Sequence, residues 1–171
     1  IVGGDNSKCQ IMDSSSTGIV SLSRKVLPHK SGKLTFETAF TMEKKAETGY
    51  SYTLEGLGKK VFKISTEGNN ITVLLPDGKT KPVSVYGPNS IIRIKALIDV
   101  DSKDYELIVD GVHVGKFNFA EDATQIDKIT VSTLKETQMS VWIRYIHMYF
   151  GYAVNETFMQ TKEEELPYDW N

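Results

Sequence analysis

The sequence predicts an all-β fold, a two-sheet antiparallel sandwich, on three observations. Helical periodicity is nearly absent along the chain. Short runs rich in β-branched and aromatic residues recur at close intervals, and Gly, Pro, Asn or Asp stands in most of the gaps between them. A chain of 171 residues is near the usual size of one domain and can bury about two thirds of its unfolded surface. Its 20 Lys plus Arg and 22 Asp plus Glu leave a net charge of −2, which offers no broad basic field to nucleic-acid phosphates or anionic lipid. No apolar run approaches the roughly 20 residues of a membrane-crossing helix. Neither nucleic acid nor membrane is therefore expected as a partner. Cys9 is the sole cysteine, so an internal disulfide and a cysteine-rich metal site are excluded. With no His or Asp beside it in sequence, it reads as a small apolar residue or an unreactive thiol rather than a nucleophile.

The opening Ile1-Val2-Gly3-Gly4 has no initiator Met and no apolar leader, and reads as the start of a processed or excised chain. Mature trypsin-like proteases begin with the same four residues, but the Gly-Asp-Ser-Gly-Gly nucleophile loop of those enzymes is missing here. Leu34 to Met42 alternates, with Phe36 and Phe40 on one face and Glu37, Ala39 and Thr41 on the other, as a half-buried strand requires. Tyr50 to Leu57, Lys60 to Thr66, Asn70 to Leu75 and Lys81 to Tyr86 follow as strands. Gly58-Lys59, Glu67-Gly68-Asn69 and Pro76-Asp77-Gly78 supply the turns between them. From Ile91 to Ile98, Ile92, Ile94, Ala96 and Ile98 form an apolar face while Arg93 and Lys95 share the other. Asp99 to Asp104 turns the chain into Tyr105 to Val109, and Asp110-Gly111 is a type I′ hairpin signal leading to Val112-His113-Val114. His29 and His113 lie in or beside turns and are expected to be solvated. Lys128 to Ser132 and Met139 to Phe150 are the last strands, the second long and central in character. Residues 1–154 are thus read as the sandwich domain. Residues 155–171, with Glu163-Glu164-Glu165 and Pro167, are read as a linker towards a possible next domain.

Ile92-Arg93-Ile94-Lys95-Ala96-Leu97-Ile98-Asp99-Val100-Asp101 with Tyr105-Glu106-Leu107-Ile108-Val109-Asp110-Gly111 resembles the strand, turn and hairpin of concanavalin A-like and laminin G-like jelly rolls. Asp13 to Gly18 before a first strand, Gly32 to Glu37 opening the next, and Ile146-His147-Met148-Tyr149 in the closing strand agree in order, so the likeness spans nearly the whole chain. The ending Gly151 to Phe158, with Leu166 to Trp170, looks like the exit from such modules in exported bacterial polysaccharide lyases and glycoside hydrolases. The resemblance implies a two-sheet antiparallel jelly-roll β-sandwich whose concave face and rim loops hold sugar, in a secreted, extracellular or cell-surface protein. Fold alone does not fix function.

Glycosidases need two carboxylates flanking the scissile bond, and the Glu-x-Asp-x-x-Glu or Glu-x-Asp-x-Glu strand of catalytic relatives is missing; Asp99 and Asp101 fall in a turn, and Glu163 to Glu165 in the tail. A lyase needs a cation to neutralise the uronate carboxylate and a Tyr or His to take the C5 proton. Tyr145, His147 and Tyr149 alternate on one face, but Tyr145-Ile146-His147 replaces the Gln-Ile-His of related lyases and Tyr149-Phe150-Gly151 lacks their Lys. No catalytic residue is assigned. Many relatives hold a structural calcium through Ile-Asp-Asn near the closing strand. Ile143-Arg144-Tyr145 stands there instead, and Arg cannot ligate a cation. Asp13, Asp99 and Asp101 are loop carboxylates that also serve as turn caps. No cofactor and no metal ligand is therefore named.

Binding a sugar needs an aromatic plate for its C–H face, and an acidic sugar adds Arg or Lys. The candidates are Trp142 and Arg144 on one face of the last strand, Arg93 and Lys95 on the outward face of another, and Tyr50 and Tyr52. The function expected is a non-catalytic, lectin-like carbohydrate-binding module of a larger polysaccharide-degrading protein. Its partners would be a poly- or oligosaccharide and a neighbouring domain. The alternatives are a structural spacer packed on a catalytic domain, or a jelly-roll lyase or hydrolase.

Overall fold

The computed structural model describes residues 2–4, 8–14, 17–42, 48–134 and 139–151. These form β1 (Val2–Gly4), β2 (Lys8–Asp13), β3 (Ser21–His29), β4 (Lys33–Met42), β5 (Thr48–Gly56), β6 (Lys59–Glu67) and β7 (Asn70–Leu74). They continue as β8 (Thr80–Val85), β9 (Ile91–Asp99), β10 (Asp104–Val109), β11 (Val112–Asn118), β12 (Ile126–Thr133) and β13 (Met139–Phe150). Pairing is antiparallel throughout. A seven-stranded sheet ordered β1-β2-β13-β4-β9-β10-β11 packs on a six-stranded sheet ordered β3-β12-β5-β6-β7-β8. This is the jelly-roll sandwich expected from the sequence.

The anticipated strands appear within a few residues of their expected bounds, β11 running on to Asn118. β1 and β2 carry too few apolar residues to signal strands by themselves. The Asp110-Gly111 hairpin has positive φ at both residues, 49° and 83°, as a type I′ turn demands. The β5–β6 turn is one residue earlier than expected, at Leu57 and Gly58, with φ of 52° and 78°. Leu57 is held in that strained geometry by its amide, which donates to Asp127 Oδ2 at 3.0 Å.

The inner faces meet in an aromatic centre. Phe36 and Phe40 of β4 pack edge-on or tilted against Tyr50 and Tyr52 of β5 and Phe62 of β6, with ring centroids 4.7 to 5.9 Å apart. Each such pair adds about 0.5–1.5 kcal/mol beyond the burial of its area. Tyr50 and Tyr52 are each 1% exposed, so these two sequence candidates belong to the core and offer no surface to a ligand. The period-2 reading missed this because it gives the face of a residue but not which layer that face meets. Burial pushes both phenols well above the ordinary tyrosine range. His29 also departs from its expected solvated state: its Nε2 is buried with no hydrogen-bond partner among the described residues, and its ring lies 5.3 Å from that of Phe150.

Candidate functional site

β13 lies between β2 and β4, and its register against β4 is interrupted once. Ile143 opposes Phe40 and Tyr145 opposes Ala39, leaving Arg144 as the extra residue of a β-bulge. Because side chains alternate with period 2, one inserted residue exchanges the faces of everything beyond it. Val141 and Ile143 point inward before the bulge, and Ile146 and Met148 point inward after it. Trp142, Tyr145, His147 and Tyr149 consequently share the outward face, where strict alternation would have separated the first from the other three. The bulge is fastened from inside. The Thr38 hydroxyl of β4 donates to the Tyr145 carbonyl at 2.8 Å and is hydrogen-bonded to the Tyr52 hydroxyl of the facing sheet at 2.7 Å. Tyr52 thus touches the site through the core, as a support for the bulge.

The register extends the outward face across three strands. Trp142 stands opposite Thr41 and Tyr145 opposite Ala39, which is opposite Arg93 on β9; His147 stands opposite Glu37, which is opposite Lys95. The aromatic row on β13 and the cationic row on β9 are two strand spacings apart, about 10 Å, with the short side chains of Thr35, Ala39 and Thr41 between them. Ala39 is only 1% exposed although it faces outward, so longer neighbours close over it.

Four of the six sequence candidates therefore come together. Trp142 and Arg144 lie on this face, with Arg144 Nε 3.4 Å from Thr41 Oγ1. Lys95 is bound to Glu37 at 3.0 Å, both side chains about a quarter exposed, so much of its charge is already offset. Arg93 is exposed, and its guanidinium has no hydrogen bond or ion pair among the described residues. It is the cation best placed to meet an anion. Tyr145 and His147 were missing from the sequence-derived binding set. Their signal was the spacing of inward apolar residues, which runs in twos except for the three-residue step from Ile143 to Ile146.

The chemistry available is stacking, hydrogen bonding and the positive charges of Arg93 and Arg144, neither of which has an ion pair among the described residues. His147 Nδ1 lies 2.9 Å from the Tyr149 hydroxyl. The outward carboxylates Glu37 and Glu106 each have a basic neighbour, Lys95 and, at 3.5 Å, His113. Asp13 is buried in β2, where its Oδ2 accepts from Thr133 Oγ1 at 2.6 Å, rather than lying in a loop. Asp99 Oδ1 accepts from the amides of Asp101 and Ser102, and Asp101 Oδ2 from that of Gly32. Among the described residues, no three or more His, Cys, Asp or Glu side chains are grouped to hold a metal ion.

No protein-family model and no curated protein matches this sequence. Solved structures do match in fold. A sialidase superposes with a TM-score of 0.71 at 12% identity over 84% of this chain, which spans only 15% of that sialidase's length. A tetrameric galectin from Cinachyrella sp., the ball sponge, superposes at 0.56 with 14% identity, over 77% of this chain and all of the galectin. A marine PL7 alginate lyase from Zobellia galactanivorans superposes at 0.55 with 14% identity, over 73% of this chain and 65% of the lyase. The chain has the concanavalin A-like jelly-roll fold.

Proposed function

We propose that the outward face of the seven-stranded sheet binds carbohydrate without cleaving it, and that the chain serves as a lectin-like module of a larger exported polysaccharide-degrading protein. The observation that carries this reading is the row Tyr145, Ala39, Arg93. It sets an aromatic ring and a guanidinium with no ion pair among the described residues on opposite sides of a small residue, the arrangement that grips the apolar face and the acidic group of one sugar unit. The galectin likeness supports a sugar-binding role for such a fold.

A lyase reading draws on one specific contact, the 2.9 Å approach of His147 Nδ1 and the Tyr149 hydroxyl, which could move a proton at a sugar ring carbon. Affinity electrophoresis of the chain through gels containing neutral and uronate polysaccharides separates the readings. Retardation that is lost in Tyr145→Ala and Arg93→Ala, with no rise in ultraviolet absorbance from a new double bond, supports binding. A rise in that absorbance makes the chain a lyase. Migration unchanged on every glycan leaves it a spacer.

A further inference from the structure

A second feature lies away from this face, where the two sheets part. β2 pairs with β13 only as far as Ile143, so among the described residues the remaining length of β13 has no strand on that side, and β3 is the edge of the other sheet. Between these edges runs a cleft of about 870 Å³, within the range of small-molecule pockets. Ile129 of β12 and Ile146 and Met148 of β13 wall it. The register of β3 decides what that strand adds. Arg24 stands opposite Ile129 and His29 opposite Ile126. Opposed residues share a face, and both isoleucines are buried, so Arg24 and His29 point inward, with Val26 between them on the lining. No acidic residue lines the cleft, and Arg24 has no ion pair among the described residues. Lys25, the other lining cation, stands opposite Lys128 and acts on Asp127, which leaves Arg24 as the charge open to an anion. His29 Nε2 is buried with no hydrogen-bond partner among the described residues. Leu27 and Phe150 of the lining are 82% and 75% exposed, so the cleft opens to solvent beside them.

We propose that this cleft binds an acidic amphiphile, an extended hydrocarbon body with a carboxylate at one end and a hydroxyl at the other. An apolar wall by itself accepts any hydrocarbon; the polar groups at its two ends set the class. The Arg24 guanidinium offers paired donors that a carboxylate matches with two parallel hydrogen bonds. His29 Nε2 donates or accepts according to tautomer, and a hydroxyl meets it in either state. Extended strand from Arg24 to His29 covers up to about 16 Å, which sets the distance between the two ends of the ligand. Val26, Ile129, Ile146 and Met148 face the hydrocarbon between them, the flexible methionine adapting to its shape. An inward Arg on an edge strand also deters pairing with another sheet, but that role leaves the orphaned nitrogen of His29 without a use. This inference is independent of the sugar-binding reading.

The test is calorimetric titration of the intact chain with ω-hydroxylaurate, laurate and dodecyltrimethylammonium, each below its micelle concentration. The hydroxy acid should bind as one molecule per chain, laurate several-fold more weakly, and the cation with the same tail not measurably. Arg24→Gln changes an exposed side chain and should weaken both acids about tenfold or more. His29→Phe keeps a ring beside Phe150 and should erase the preference for the hydroxy acid while laurate binds as before. Denaturation midpoints equal to that of the parent establish that both variants are folded. Failure of both acids to bind, equal uptake of the cationic tail, or acid binding undiminished in Arg24→Gln overturns the proposal, and so does a preference for the hydroxy acid that survives His29→Phe. Dimerisation in sedimentation that shuts the acids out makes a second copy the occupant and overturns it too.

Discussion

The imidazole of His147 stacks on the ring of Tyr145, with centroids 4.7 Å apart and planes 16° from parallel. Residues two apart on a strand lie side by side on one face, so the two rings stack and each covers one face of the other, holding both upright in the row. Tyr145→Ala should weaken retardation by an acidic glycan about tenfold, near 1.4 kcal/mol. His147→Ala should weaken it less, since the larger ring remains. Equal retardation of the parent and both variants would remove the two rings from the binding surface.

The bulge yields a prediction that a regular strand would not. Deleting Arg144 leaves Ile143 opposite Phe40 and Tyr145 opposite Ala39, with every other side chain of β13 on its present face. The deletion variant should fold, with denaturant-measured stability within about 2 kcal/mol of the parent. Deleting Ile146 instead forces Tyr145 inward or turns Met148 outward, and should cost about 3 kcal/mol or more. If the Arg144 deletion is the worse of the two, the assignment of Arg144 as the inserted residue is wrong.

Thr38→Val keeps the shape of the side chain but strips the Tyr145 carbonyl and the Tyr52 hydroxyl of a shared partner. Leaving buried polar groups unsatisfied costs about 1–3 kcal/mol, and that loss should appear in chemical denaturation. Glycan retardation should fall as well, because the bulge that aims Tyr145 outward loses its fastening. Loss of stability with binding intact would separate the core contact from the site.

Alkaline pH should unfold the protein steeply. Burial raises the phenols of Tyr50, Tyr52 and Tyr105 above the ordinary value of 10.0. They stay protonated in the folded chain while the unfolded chain loses these protons. Their stabilising effect is complete below about pH 10 and is lost as pH rises towards the folded values. Each contributes a slope of about 1.4 kcal/mol per pH unit in that window, about 4 for the three. Tyr105, wholly buried with a hydroxyl that has no hydrogen bond among the described residues, provides the control: Tyr105→Phe should reduce the slope by about a third and stabilise the protein slightly at neutral pH. Denaturant midpoints measured from about pH 8 to 11 decide this.

The two-sheet architecture was legible because Phe36 and Phe40, and Ile92 through Ile98, alternate without interruption, and because Asp110-Gly111 admits few conformations. Arg93 and Lys95 could be placed outward on the same grounds. Their unequal freedom could not, since it depends on Glu37, 58 positions from Lys95 in the chain and opposite it only through strand pairing. Tyr50 and Tyr52 were misplaced for a related reason: an aromatic face reads alike whether it meets water or a second sheet. Trp142 and Arg144 were put together by the rule of two positions, which could not show that Arg144 is the inserted residue of a bulge and reaches Thr41.

The order of synthesis follows from the position of β13. It is the last strand among the described residues and sits inside its sheet, joining β2 to β4, with Gln10 bonded to Ser140 across 130 positions. Until that strand leaves the ribosome, the earlier strands present two raw margins where one seam should be, and nothing local can close them. A nascent chain stalled before Met139 should therefore depend on a chaperone, and release of the following dozen residues should end that dependence.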